Sequence, residues 1–358
     1  MAGAVAPAVD TLRSRGYRMP AEWEPQESVW MAWPRDPLTW PDRLEAARAV
    51  YLEAMRHITP HQRVELVVHP DLEQEARAAV EGAGIRHVAF HPVAHQDSWI
   101  RDYGPTYVID GHGGRVAVKW RFNAWGGKYE SLLFDDGVTG RLGAAVQADA
   151  VVEAGIVLEG GSIETDGEGT LLTTEQCLLD PNRNPGLDRA ALEGVLCDHL
   201  GVEKVLWLGQ GIAGDDTDGH VDDLTRFVAP GVVVTAVAPA GHPDHGALAE
   251  NHRRLLKMTD ARGRPLRVLP LPVPPMLATD DGETLPASHA NFLVTDGCVL
   301  MPAFGGASDG PALAVLRSCF PDRSVVPLDS HDLVWGMGSI HCLSQQMPAR
   351  HGSGSGAA

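Results

Sequence analysis

Short apolar, β-branched runs separated by glycine-, proline- and aspartate-rich turns recur along the chain, and most pairs of runs are followed by a stretch with helical spacing. Residues 104–110 and 115–120 read as a hairpin, with a helix expected over 135–148. Residues 160–166 and 170–179 repeat the hairpin, followed by a helix over 187–200 that starts near a capping Asp188 and a strand at 204–208. A third unit has strands at 220–229 and 232–237, a helix over 245–258 and a strand at 266–269. A fourth has strands at 290–295 and 298–302, a helix over 311–319 and a strand at 324–327. The fifth is split between the two ends: a strand at 27–33 with a helix over 42–58, and a strand at 339–346. Pairing those ends would close a ring of five α/β units.

Composition fits that reading. A chain of 358 residues that is 44% apolar can bury a full core. The expected organisation is a flexible segment over 1–18, one catalytic domain over 19–348 and a disordered Gly/Ser tail over 349–358. Net charge is −18, from 29 basic and 47 acidic side chains, which argues against nucleic acid and anionic membranes and favours a small cationic partner. No secretory apolar region and no run of about eighteen apolar residues is present, so the expected location is the cytoplasm. Five cysteines, an odd number without CxxC spacing, read as reduced thiols.

The residues able to do chemistry occupy matching places in the repeat. Asp102 precedes the first hairpin, Glu159 the second, His220 and Asp222 open the third, Asn291 lies in the fourth and Cys342 in the fifth. In a closed ring, equivalent positions meet at the axis. Cys342 follows a glycine-rich approach, GMGSIHC at 336–342, and His220 sits in the acidic run DDTDGHVDD at 215–223. A thiol, an imidazole and several carboxylates suit attack on a guanidinium, whose charge must be held while a nucleophile adds to its carbon. Asp102 and Asp222 would grip the cation, Cys342 would add, and His220, oriented by Glu159, would move protons.

These stretches carry a resemblance. WIRDYGP at 99–105, FNAWGGKY at 122–129, LEGGSI at 158–163, LLTTEQCLLDPNRNP at 171–185, DGHVD at 218–222 and GSIHC at 338–342 resemble the agmatine deiminase family, over roughly 19–348. The resemblance implies a five-bladed α/β propeller of the pentein type, no cofactor and no metal. It implies hydrolysis of agmatine to N-carbamoylputrescine and ammonia. It assigns Cys342 as nucleophile, His220 as acid/base with Glu159 as its partner, and Asp102 and Asp222 as clamps. Trp99 and Trp125 would wall the pocket, with Asn291 and Gly338 beside the substrate. Asp216 and Asp218 would read the distal amine, and a homo-oligomer is compatible with the family. Two motifs depart from the family's usual strings, DDTDGH at 215–220 and ASHANF at 287–292, and both lie where the distal end should be read.

Other readings compete. Another guanidine, an arginine derivative or peptidylarginine, could be the substrate. A manganese ureohydrolase is suggested by Asp218, His220 and Asp222 in Asp-x-His-x-Asp order, but no second Asp-x-Asp ligand strand accompanies them. A non-catalytic polyamine binder would also suit the acidic balance. Cys197 and Cys319 read as small apolar residues on helices, Cys177 and Cys298 as the same in strands. His341 reads as shaping its turn, His91 and His95 as facing solvent, and Asp102 with Arg101 could form a surface ion pair.

Overall fold

The structure is a computed structural model that describes residues 10–350. Its framework is five sheets of three or four strands, with one further two-stranded hairpin. Four of the five share one plan. An antiparallel pair comes first, as the repeat anticipates, and a third strand then returns parallel to the middle one. Thr225–Ala229 pairs antiparallel with Val232–Val237, and Arg267–Pro272 joins it in parallel after the helix His245–Leu255. Leu293–Val294, Cys298–Ala303 and Ser324–Asp329 repeat the plan around the helix Asp309–Cys319. Glu164–Thr165, Thr170–Thr174 and Lys204–Leu208 do so around Arg189–Leu200. Middle strands such as Val232–Val237 are apolar apart from the buried Thr235 because both faces are covered, the usual consequence of parallel pairing under helices.

The two ends of the chain do pair. Ser344–Pro348 lies antiparallel to Gln26–Ala32, which continues in parallel to Arg63–Val68 and Val88–Pro92. The helix Leu44–Ile58 crosses between the first two of these parallel strands, burying Ala47, Tyr51, Ala54, Met55 and Ile58 along one face. Asp188 is the N-cap expected: its Oδ1 accepts the Ala191 amide at 2.9 Å. That helix ends at Gly201, whose φ of +65° and closeness to the Tyr17 carbonyl leave no room for a side chain.

Several expectations need correction. No continuous helix spans 135–148. Glu130–Gly137 and Gly143–Val146 are 3₁₀ segments around a short helix, Val138–Leu142, interrupted by glycines and by Gln147 at φ +55°. The strand expected over 170–179 stops at Thr174, whose hydroxyl caps the helical turn Glu175–Leu178, so Cys177 is on a helix and not in a strand. The strand Ala150–Val157 and the segments from 63 to 92 were not anticipated. Within the segment expected to be flexible, residues 10–18 pack instead: Leu12 and Tyr17 are buried beside Leu196 and Leu200, and Arg18 bridges to Ile109. Ala349 and Arg350 are held by Pro25 and Asp149, while the remainder of the expected tail lies outside the described residues. His95 is buried, with its ring on the carbonyls of Val93 and Trp33.

Candidate active site

Cys342 lies on the turn between the helix His331–Val334 and the strand Ser344–Pro348. Gly338 lets that turn pass beneath Trp99, since a Cβ there would stand 2.6 Å from the indole. Asn291 holds the turn from the neighbouring unit: its Oδ1 accepts the amides of His341 at 3.0 Å and Cys342 at 3.3 Å. Its Nδ2 donates to Cys342 Sγ at 3.1 Å. Sγ is 3.6 Å from Asp222 Oδ2. Burial pushes the Cys342 thiol well above its ordinary range, and the charges of Asp222, Asp223 and Asp102 push it further, against Asn291.

Asp102 and Asp222 approach the same space. Asp102 is buried, with Oδ2 accepting the Trp125 indole N–H at 2.9 Å and Oδ1 the Gly161 amide at 3.0 Å. Trp125 reaches it from a left-handed backbone, φ +53°, a strain for a bulky residue that aims the indole at the carboxylate. Burial, aided by the charges of Asp222 and Glu159 and opposed by that of His220, raises Asp102 to about 6. Asp222 runs the other way. Burial would raise it, but the His341 hydrogen bond at 2.7 Å and the charges of His341 and His220 hold it low. Arg101 is not the partner of Asp102; it is buried on the His341 carbonyl and Gln346.

His220 stands between carboxylates, with Nδ1 3.8 Å from Asp102 and Nε2 3.9 Å from Glu159, inside ion-pair range and beyond hydrogen-bonding range. Burial would lower its pKa, but Asp102, Cys177 and Glu159 reverse that and raise it well above the ordinary value. Among the described residues, both ring nitrogens and Asp222 Oδ1 lack a hydrogen-bond partner although buried. Such groups are costly unless the reaction uses them. Gly161 makes the convergence sterically possible: a Cβ there would stand 2.6 Å from His220 Nδ1 and 3.1 Å from an oxygen of Asp102 and of Asp222.

Behind the imidazole, Glu159 is held mainly by Arg183, whose Nε lies 2.9 and 3.0 Å from its two oxygens. Arg183 is fully buried and also binds Asp180, Asp218 and the Thr217 carbonyl. Burial would raise Glu159, but Arg183 and His220 outweigh it and lower it.

In front lies a cavity of about 670 Å³ lined by Trp99, Asp102, Trp125, Asp216 and Cys342, with Asp280, Asp281 and Glu283 at its mouth. Glu159, Asp218, His220, Asp222, Asn291 and Gly338 stand outside that lining. Asp216 accepts from Tyr129 Oη and lies 3.4 Å from Lys128 Nζ. Asp218 does not reach the cavity as expected. Its oxygens are taken by Lys128 at 2.9 Å and Arg183 at 3.0 Å, and it occupies the left-handed region at φ +64°. His289, in the second departing motif, bonds the Pro302 carbonyl and Ser308 inside the core.

Three clusters of acidic, histidine or cysteine side chains have ligand atoms within 4.8 Å among the described residues: Glu159–Cys177–His220, Glu22–Glu164–His341 and Asp222–Asp223–Cys342. None unites Asp218, His220 and Asp222, the set the manganese reading requires. The first two already contain protein cations, Arg183 on Glu159 and Arg226 on both Glu22 and Glu164.

The structure brings Asp102, Glu159, His220, Asp222, Asn291 and Cys342 into one neighbourhood. Sequence reasoning passed over Gly161, Arg183, Glu22 and Asp223, and gave Cys177 and His341 bland roles. The doubled glycine after Glu159 and the arginine inside DPNRNP were the available signals; nothing local marks Glu22.

The family model for Porphyromonas-type peptidyl-arginine deiminases matches residues 18–348. The agmatine deiminase of Stutzerimonas stutzeri is 40% identical over 361 residues, covering 95% of this chain and 97% of that one. The agmatine deiminase of Pseudomonas putida is 38% identical over 362 residues, covering 95% and 97%. The solved agmatine deiminase of Enterococcus faecalis superposes with a TM-score of 0.89 at 37% identity, covering 97% of this chain and 100% of that one. Among the described residues, no helix is long and apolar enough to cross a membrane.

Proposed function

The chain belongs to the Porphyromonas-type peptidyl-arginine deiminase family, and from that premise we propose that it hydrolyses agmatine to N-carbamoylputrescine and ammonia, with Cys342 as nucleophile. The observation that carries the reading is the meeting of Cys342 and Asp102, which line an acidic cavity, with Asp222 and His220 directly behind them. The five sheets act as blades of one α/β propeller, a reading supported by the pairing of the chain's first and last strands.

The cationic guanidinium enters past acidic groups and is gripped by Asp102 and Asp222, with charge-assisted hydrogen bonds in a desolvated pocket. Its arrival places positive charge beside a thiol that burial and carboxylates hold protonated, which favours the thiolate only when substrate is bound. The thiol releases its proton to solvent, where it ends on the departed ammonia, and the thiolate adds to the guanidine carbon. His220 protonates one nitrogen as the C–N bond breaks, and ammonia leaves a thiouronium on Cys342. Water, deprotonated by His220, adds to the same carbon. The C–S bond then breaks, returning the thiol and the ureido product. Glu159, anchored by Arg183, keeps the imidazole oriented and favours its charged form. Trp99 and Trp125 wall the aliphatic part, and Asp216 receives the distal ammonium.

Ammonia and ureido assays on agmatine, arginine, guanidino acids and arginyl peptides, without added metal or nucleotide, test this. Agmatine turns over best if the proposal holds. No turnover of agmatine, or preference for guanidines ending in a carboxylate, overturns it.

A further inference from the structure

We propose that His341 is a positioning residue: an imidazole protonated at both nitrogens, anchored by Glu22, which fixes one oxygen of Asp222 and leaves the other for the substrate. The inference rests on the reading of Asp222 as a guanidinium clamp.

His341 is buried beside the nucleophile, and both of its ring nitrogens meet carboxylates. Nδ1 is 2.7 Å from Asp222 Oδ2 and Nε2 is 2.8 Å from Glu22 Oε2. An ionised carboxylate only accepts hydrogen bonds, and a neutral imidazole has one N–H. With a single proton, one of these short contacts would set acceptor against acceptor, so the geometry requires two.

The ring is not free to turn away. Asn291 Oδ1 takes the His341 amide at 3.0 Å and Arg101 Nε donates to its carbonyl at 3.1 Å. Glu22 is fixed in turn by Arg226 at 2.8 Å and the Val294 amide at 2.6 Å, and Arg226 also binds Glu164. Burial would raise Glu22, but Arg226, His341 and Arg101 hold it below the usual carboxylate range.

On its other sides Asp222 faces Asn291 Nδ2 at 3.3 Å, Cys342, the carboxylates of Asp223 and Asp102, and the charges of His220, Arg226 and Arg101, and its Oδ1 has no hydrogen-bond partner among the described residues. Of the groups around Asp222, His341 makes the shortest contact, 2.7 Å against 3.3 Å for Asn291 and 3.6 Å for Cys342, so its Nδ1 donor decides which Asp222 oxygen remains available. Glu22 contributes from the other end of the chain.

Two alkylating agents separate positioning from folding. Iodoacetamide is neutral, whereas 2-chloroacetamidine carries a planar amidinium that the clamps can grip; labelling at Cys342 is followed by peptide mapping. In the wild-type protein the cationic reagent reacts preferentially. An asparagine amide nitrogen falls near Nδ1 and a glutamine amide nitrogen near Nε2. His341→Asn therefore keeps the donor to Asp222, and His341→Gln keeps only the donor to Glu22. The proposal expects His341→Gln to lose about tenfold or more of the cationic preference and His341→Asn to stay within about threefold of wild type. His91→Asn, which removes a second His–Glu contact remote from the cavity, made there through Nε2, is the control.

Equal behaviour of the two His341 variants overturns the proposal. Absence of any cationic preference in the wild type instead overturns the clamp reading beneath it. If a variant fails to fold, a nitrogen-15 spectrum of histidine-labelled wild type decides. A ring near the Cys342 amide with both N–H protons supports the proposal, and a singly protonated ring there overturns it.

Discussion

Cys342 and Cys177 are both buried, both lie within reach of carboxylates, and both have thiols pushed above their ordinary range by burial. They differ in what surrounds them. Cys177 shares its cluster with Glu159 and His220, and Arg183 is a permanent cation beside it. The influences on Cys342 are burial and three carboxylates, opposed only by Asn291, and it lines the cavity. The lesson is that thiol acidity in the resting protein does not identify the nucleophile. Access does, together with an acidic setting that an incoming cation can reverse. Cys177 instead belongs to the fixed ionic wall behind His220.

The sharpest way to break this comparison is to exchange sulfur for oxygen at each site. Cys342→Ser should reduce agmatine turnover by about a thousandfold or more, because no covalent route remains. Cys177→Ser should retain most of it. Comparable losses at both, measured by ammonia release, would remove the distinction.

Next in size are the clamps. Asp102→Asn and Asp222→Asn keep volume and remove charge, and each should lower kcat/KM by about 2–5 kcal/mol, roughly thirtyfold or more. Asp110→Asn, on a turn where the carboxylate binds the amides of His112 and Gly114, should change little. Equal behaviour of the three would place the cation elsewhere.

A pH profile follows. Asp102 is pushed up to about 6. In the proposed clamp only the ionised form can grip the cation, so kcat/KM should fall as pH drops through about 6, toward tenfold per unit. A profile flat from pH 5 to 8, or one whose acidic limb is unchanged in Asp102→Asn, would contradict that role.

The smallest effect concerns the mouth. Asp216→Ala should raise the KM for agmatine over that for a guanidine without distal charge by about 1.5–3 kcal/mol. Asp218→Ala strips a partner from Arg183 and Lys128, so it should harm both substrates alike. The reverse pattern would exchange their roles.

Much of this was legible in the sequence because the repeat places Asp102, Glu159, His220, Asp222, Asn291 and Cys342 at equivalent points. Gly143 at φ +52° and Gln147 at φ +55° break a helix that helical spacing alone had suggested. The strand Ala150–Val157, apolar in sequence yet half exposed, was not anticipated. Glu22 and His341 meet across most of the chain, and Arg183 is defined by the charges it joins, so neither partnership has a local pattern. Asp216 and Asp218 looked alike on the chain. A left-handed backbone at Asp218 turns one inward to Arg183 while the other lines the cavity.

The central claim is most directly tested by trapping the intermediate. Wild-type protein is quenched with acid during agmatine turnover, digested and mapped by mass spectrometry. A substrate-derived amidino adduct, with ammonia lost, should appear on the peptide containing Cys342 and on no peptide containing Cys177. An adduct on Cys177, or undiminished ammonia release by Cys342→Ser, would contradict the account.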